Sequence, residues 1–138
     1  MPAKDFYHEI VINALKKEDW KITDDPLTVH FGDIEYFVDL GAEKIIIAEK
    51  KNIKIAVEVK SFLSDSPTSE FHSAIGQYIN YREALQADES DRFLYLAVTS
   101  DIYQTFMERK LPQKVIQKYQ IKLLIFDSES EVILKWIN

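Results

Sequence analysis

The stretch Ile53-Lys54-Ile55-Ala56-Val57-Glu58-Val59-Lys60 sends Ile53, Ile55, Val57 and Val59 one way and Lys54, Ala56, Glu58 and Lys60 the other. Strict apolar/polar alternation carried by β-branched residues is the pattern of a strand. Side chains repeat every two residues along a strand, so Glu58 and Lys60 emerge on one face, roughly 7 Å apart along the backbone. A carboxylate and an ammonium fixed side by side on a rigid strand can hold a metal ion and a scissile phosphate together. The same pattern is common on the wet face of any half-buried strand, so the neighbouring segments must decide.

Upstream, Asp5–Lys17 has helical spacing, with Tyr7, Val11, Ala14 and Leu15 as one stripe and Phe6 and Ile10 beside it. Asp5 at its start and Lys16 and Lys17 at its end suit the helix dipole. His8 and Glu9 fall in its first turns and read most simply as surface polar residues. Trp20–Thr23 is a short strand, stopped by the turn triplet Asp24-Asp25-Pro26. Leu27, Val29 and Phe31 alternate in a second strand, and Ile34, Tyr36, Val38 and Leu40 in a third. Gly41 suggests a bulge. The apolar run Ile45–Ala48, a turn at Lys50-Lys51-Asn52 and the 53–60 strand form a hairpin. That hairpin brings the Asp39–Glu43 end of one arm alongside Glu58–Lys60. A one-residue slip decides whether Glu43 or its neighbours share the Glu58 face.

Downstream, Asp65-Ser66-Pro67 is a helix entry, and the helix runs to about Ala87 with Phe71, Ile75, Tyr78, Ile79 and Leu85 as its inner stripe. Ser73, Gln77 and Tyr81 recur every four residues as a polar stripe beside it. Residues 92–99 are nearly all apolar, as in a strand buried on both faces. Strand, helix and strand therefore read as a right-handed crossover. A helix over Asp101–Lys110, a break at Leu111-Pro112, a short helix to Tyr119 and strands over 121–126 and 132–137 complete the chain.

The expected architecture is a mixed α/β domain spanning 1–138, in the order α-β-β-β-β-β-α-β-α-α-β-β. At 138 residues the chain is long enough for a core without staples. It has no cysteine, which excludes disulfides, thiolate nucleophiles and cysteine zinc sites. Its three histidines are scattered, which argues against zinc. No run approaches the ~18 apolar residues of a membrane span, and the N-terminus lacks the apolar core of a signal peptide, so a cytoplasmic protein is expected. With 23 acidic and 17 basic side chains, indiscriminate nucleic-acid binding is disfavoured. Local positive charge remains at Lys44, Lys50, Lys51 and Lys54 on the hairpin, and Lys44 and Lys54 are candidate phosphate contacts.

The order helix, antiparallel strands ending in Glu-X-Lys, helix, strand resembles the PD-(D/E)XK, or restriction-endonuclease-like, nucleases, whose fold is a central mixed β-sheet flanked by helices. That resemblance implies an acidic residue on the preceding hairpin arm, and Asp39 is placed to be it, with Val38 where the name-giving Pro would stand. It implies catalysis by Asp39, Glu58 and Lys60, with Mg²⁺ or Mn²⁺ held by Asp39, Glu58 and the Val59 carbonyl. The residue types suit the chemistry. Mg²⁺ takes hard oxygens and keeps several waters, acidifies one of them and offsets charge developing on phosphate. Lys60 can orient that water and neutralise the transition state. Gln77 and Tyr81 resemble the Gln-X-X-X-Tyr element that several such nucleases place beside the metal. Glu43 and His8 are candidate supporting groups.

Read end to end, the chain also resembles the XisH family of cyanobacterial excision-controlling factors. The matching segments are 1–5 with His8, Trp20–Thr23 with Asp25-Pro26-Leu27, Val38–Lys44, Ile55–Phe62, Gly76-Gln77-Tyr78 with Tyr81-Arg82, Leu94–Val98 and Lys135-Trp136-Ile137. That family favours Gly just before the first Trp and in the hairpin loop, where this chain has Asp19 and Asn52. The resemblance implies a role in the programmed, site-specific excision of a DNA element, acting with a recombinase and a companion controlling factor. Two readings stand on the sequence: a metal-dependent DNA endonuclease or nickase, and a non-catalytic regulator that binds DNA or the companion. The acidic balance implies that the species acting on DNA is a homodimer or an assembly with the companion.

Overall fold

The structure, a computed structural model, describes residues 5–46, 51–88 and 90–138, with the side chains of 42–46 and 51 outside that description. The elements run α1 (His8–Lys17), β1 (Lys21–Asp24), β2 (Leu27–Phe31), β3 (Ile34–Val38), β4 (Leu40–Ile46), β5 (Lys51–Val59), α2 (Pro67–Ala87), β6 (Phe93–Thr99), α3 (Ser100–Ile102), a π-helical turn (Tyr103–Met107), α4 (Lys110–Lys118), β7 (Leu123–Asp127) and β8 (Val132–Ile137). Helices and strands follow one another as the sequence patterns indicate.

Six strands form one mixed sheet in the order β1-β4-β5-β6-β7-β8, and β2 and β3 pair separately as a hairpin. The centre, β5-β6-β7, is parallel, and the outer pairs are antiparallel. Alternation along the central strands feeds two cores. Ile55, Val57, Val59, Tyr95, Ala97, Leu124 and Phe126 pack with α1 through Val11, Ile12 and Leu15. Ala56, Leu94, Leu96, Val98, Leu123 and Ile125 pack with α2, with Phe106 and Ile116, and with Val29 and Val38 of the hairpin. Both faces of β5 are therefore covered at Ala56 and Glu58, where its polar side is not a wet face, whereas Asn52 near its start is exposed.

Local chemistry sets the element ends. Ser66 caps α2, its hydroxyl accepting the Ser69 N–H at 3.2 Å, and Pro67 follows where no N–H is needed. Asp19 adopts φ +67°, a left-handed conformation that Asp tolerates better than most residues. Trp20 packs on Trp136 with ring centroids 5.7 Å apart, and Trp136 on Tyr95 at 4.9 Å.

Four expectations need correction. The third strand does not run unbroken to Leu40. It stops at Val38, and β4 starts at Leu40, because the chain passes there from the hairpin into the main sheet. Val38 enters the α2-side core and Leu40 the α1-side core. The bulge lies opposite Gly41 on β1, where Ile22 pairs with Ala42 and Asp24 with Gly41, leaving Thr23 as the extra residue. Lys51 and Asn52 are not in a turn but pair in β5 with Ile46 and Ile45, while Lys50 lies outside the described residues. The helical break falls at extended Arg109, and Pro112 sits inside the first turn of α4, where its missing N–H costs nothing.

Among the described residues no helix is long and apolar enough to cross a membrane.

Candidate functional site

The junction between β3 and β4 carries the site. Asp39 occupies the single residue between these strands, beside the end of β5. Its N–H donates to Glu58 Oε1 at 3.2 Å, and its Oδ2 accepts the Val59 N–H at 2.7 Å. The Glu58 carboxyl is thus tied to the main chain of Asp39, and the Asp39 carboxyl to the main chain of the residue after Glu58. Just past the end of β5, the Lys60 N–H donates to the Ala97 carbonyl at 3.0 Å. The Lys60 side chain returns to the Glu58 face, its Nζ 3.7 Å from Glu58 Oε2. Glu58 is 6% exposed, whereas the Lys60 side chain retains 26% of its exposure, so the group opens to solvent on the lysine side.

Burial leaves this cluster short of positive charge. Glu58 is pushed up to about 8, first by desolvation and then by the Asp39 charge; a carboxyl–carboxyl hydrogen bond with Asp39 adds to the rise, while Lys60 opposes it. Asp39 is also raised by burial, against the Val59 N–H, His8 and Lys60, which favour its ionised form. The two carboxyls titrate as a coupled pair, each disfavouring the charge of the other. A divalent cation would relieve that shortage, so the donor set fits one. Mg²⁺ needs only one or two carboxylates beside its waters. Among the described residues no group of three or more His, Asp and Glu side chains is arranged as a metal site.

Tyr81 reaches the same cluster from α2. Its hydroxyl is pushed up to about 12 by burial and then by Glu58, Asp39 and Tyr36, so it stays neutral. Its ring meets Tyr36 edge-on at 5.4 Å. Gln77, one turn earlier, has a buried Oε1 that finds no hydrogen-bond partner among the described residues. His8 is not a surface residue: it is 3% exposed, its Nε2 lies 2.7 Å from Asp25 Oδ1, and its Nδ1 is buried without a partner. Around Glu58, then, sit Asp39, Lys60 and Tyr81, with His8 acting on Asp39 from α1.

The remaining candidates lie elsewhere. Glu43 pairs with Lys54, and Lys44 with Ile53. Glu43 and Lys54 are therefore about 13 Å along the strand from Glu58. The side chains of Glu43 and Lys44 lie outside the described residues, and Lys54 sits 3.8 Å from Asp91. Three contributors escape a reading by pattern. Asp5 accepts the Tyr7 N–H at 2.9 Å and the Ser61 N–H at 3.0 Å, tying the entry of α1 to the exit of β5. Asp25 holds His8. Tyr36 backs Tyr81. Only Asp5 had a local signal, as an acid preceding a helix. Just beyond Ser61, buried Phe62 takes φ +53°, a strained conformation for an aromatic residue.

The chain is similar to known proteins over nearly its whole length. A protein-family model described as "XisH protein" matches residues 1–134. A crystal structure of an fdxN element excision controlling factor protein from Anabaena variabilis superimposes with a TM-score of 0.89 at 49% identity, covering 98% of this chain and 100% of that one. An XisH family protein from Nostoc punctiforme PCC 73102 superimposes with a TM-score of 0.87 at 47% identity, covering 97% and 100%. No curated protein matches.

Proposed function

Because this chain belongs to the XisH family, we propose that it serves in controlling the excision of a DNA element through a divalent-metal-dependent phosphodiester-hydrolysing site. The observation that carries this reading is the convergence of Asp39, Glu58 and Lys60. Glu58 accepts the Asp39 N–H at 3.2 Å and Asp39 accepts the Val59 N–H at 2.7 Å, with an ammonium 3.7 Å from Glu58. The element order and the Asp, Glu-X-Lys placement support a restriction-endonuclease-like fold.

In this reading Asp39, Glu58 and the Val59 carbonyl would hold Mg²⁺ or Mn²⁺, which would supply Lewis acidity toward phosphate and toward water. The Lys60 ammonium orients the attacking water and offsets negative charge on the phosphate. The water oxygen bonds to phosphorus and releases a proton to solvent as the bond from phosphorus to the leaving sugar oxygen breaks, and that oxygen takes a proton from solvent. Tyr81, kept neutral, donates a hydrogen bond toward the reacting phosphate from α2, and Gln77 presents its unpartnered amide oxygen on the same helix.

A second reading is favoured by the burial of Glu58 and the net charge of −6. Here the fold is kept as a regulator that binds a companion factor, a recombinase or DNA without cleaving. On either reading the acidic chain alone binds DNA weakly near physiological salt, and a homodimer or an assembly with the companion supplies the missing contacts. Thermal unfolding with and without Mg²⁺ or Mn²⁺ separates the two. The hydrolase reading expects stabilisation that Glu58→Gln abolishes; no stabilisation of the unaltered protein favours the regulator.

A further inference from the structure

The chain concentrates its positive charge where the site is not. Residues 109–126 carry five basic side chains and no acidic one, so the rest of this −6 protein sums to −11. Three of the five, Lys110, Lys114 and Lys118, follow one another at four-residue spacing on α4, about 6 Å apart along its axis. All three are exposed, and among the described residues none forms an ion pair. Like charges at this spacing weaken a helix, and among the described residues no carboxylate pairs with them, Lys118 alone lying over an aromatic ring, that of Tyr119 at 5.5 Å.

Turning around α4 from that stripe leads to Leu111 and Val115, then to the buried Pro112 and Ile116. Leu111 is 67% exposed. It borders an apolar groove of about 540 Å³ between α4 and α2, floored by Phe71, Ile75, Phe106 and Val115. The opposite wall contains Gly76. Glycine inside a helix costs stability, and here no internal contact requires it, because a Cβ at Gly76 would meet nothing within 4 Å. A mid-helix glycine that opens an apolar groove is explained by close approach of another backbone from outside.

We propose that this groove receives an acidic amphipathic helix of a partner protein. The partner's apolar face lies over Phe71, Ile75 and Leu111, its backbone crosses Gly76, and its carboxylates face Lys110, Lys114 and Lys118. This is the helix-in-groove mode of recognition, with charge complementarity to fix orientation. A nucleic acid would use the lysines but leave the apolar groove and Gly76 without purpose. The inference is independent of the Asp39–Glu58–Lys60 site.

The test is selection of a displayed helical-peptide library on the full chain, followed by affinity measurement against Gly76→Leu and against Lys110→Glu/Lys114→Glu. Both variants alter exposed positions, and retained thermal unfolding verifies their fold. The expected result is enrichment of amphipathic sequences with a Glu- or Asp-rich flank, which lose at least tenfold in affinity for either variant and shift the Gly76 amide resonance. The proposal is overturned if no peptide is enriched, if the enriched peptides bind Gly76→Leu unimpaired, or if their flanks are not acidic. A DNA duplex that binds through the lysines while no peptide competes would assign the surface to nucleic acid and equally overturn it.

Discussion

Asp39 and Glu58 hold each other through the main chain: the Asp39 N–H donates to Glu58 Oε1, and Asp39 Oδ2 accepts the N–H of Val59, the residue after Glu58. This reciprocal arrangement fixes both carboxyls at the one residue where the chain crosses from the hairpin into the main sheet. It makes Asp39 both the end of the β3–β4 junction and the partner of Glu58.

Glu58 should make stability fall as pH rises. Its folded value of about 8 lies above the ordinary 4.5, so the unfolded chain releases this proton first. The contribution is fully present below about pH 4.5 and lost as pH climbs through about 8. Glu58→Gln, neutral throughout, should flatten the profile of Tm against pH in that window and raise Tm at pH 8.5 by roughly 3–8 °C. A variant as steep as the unaltered protein would assign the titration to another group.

Gly41 should resist substitution for a reason separate from the site. Arg92 clasps the sheet edge, its guanidinium donating to the Ile55 carbonyl at 2.8 Å and to Asp24 Oδ2 at 3.1 Å. A Cβ at Gly41 would come within 2.8 Å of that Asp24 oxygen and 3.1 Å of Arg92 Nη1. Gly41→Ala should therefore cost about 1–3 kcal/mol in denaturant unfolding. Combining it with Arg92→Met should cost less than the sum, since both disturb one clasp. Full additivity would show that the clasp is not what Gly41 protects.

Tyr78→Phe should cost about 1–3 kcal/mol. The hydroxyl donates to the Leu94 carbonyl at 2.8 Å and accepts the Lys122 N–H at 3.1 Å, joining α2 to β6 and to the entry of β7. Removing one oxygen leaves two backbone groups without that partner. Amide exchange at Lys122 should quicken more than at sites remote from Tyr78, and unchanged exchange there would contradict this account.

Much of this was legible from alternation and breakers. The strand over Ile53–Lys60, the helix entered at Ser66-Pro67 and the shared face of Glu58 and Lys60 all follow from periods of 2 and 3.6. What periodicity does not carry is how one element sits on another. It left open the register that sets Glu43 against Lys54, and it could not show that α2 and the β2–β3 hairpin close over Ala56 and Glu58. For that reason the burial of Glu58 is absent from the pattern. His8 looks like a surface residue of α1 until Asp25, seventeen positions away, is seen beside it. Pro112 looks like a helix breaker because its tolerance depends on a helix start that the sequence marks only weakly.

The most direct test of the proposed chemistry is single-turnover cleavage of supercoiled DNA by the full chain, with any partner it requires, in Mg²⁺ or Mn²⁺ and in EDTA. The account predicts metal-dependent nicking or cutting that Asp39→Asn and Glu58→Gln abolish. Lys60→Met should reduce it by on the order of 10²–10³ with unfolding little changed. Cleavage that is indifferent to Asp39→Asn, Glu58→Gln and Lys60→Met, or no cleavage by an assembly that binds the DNA, would contradict it.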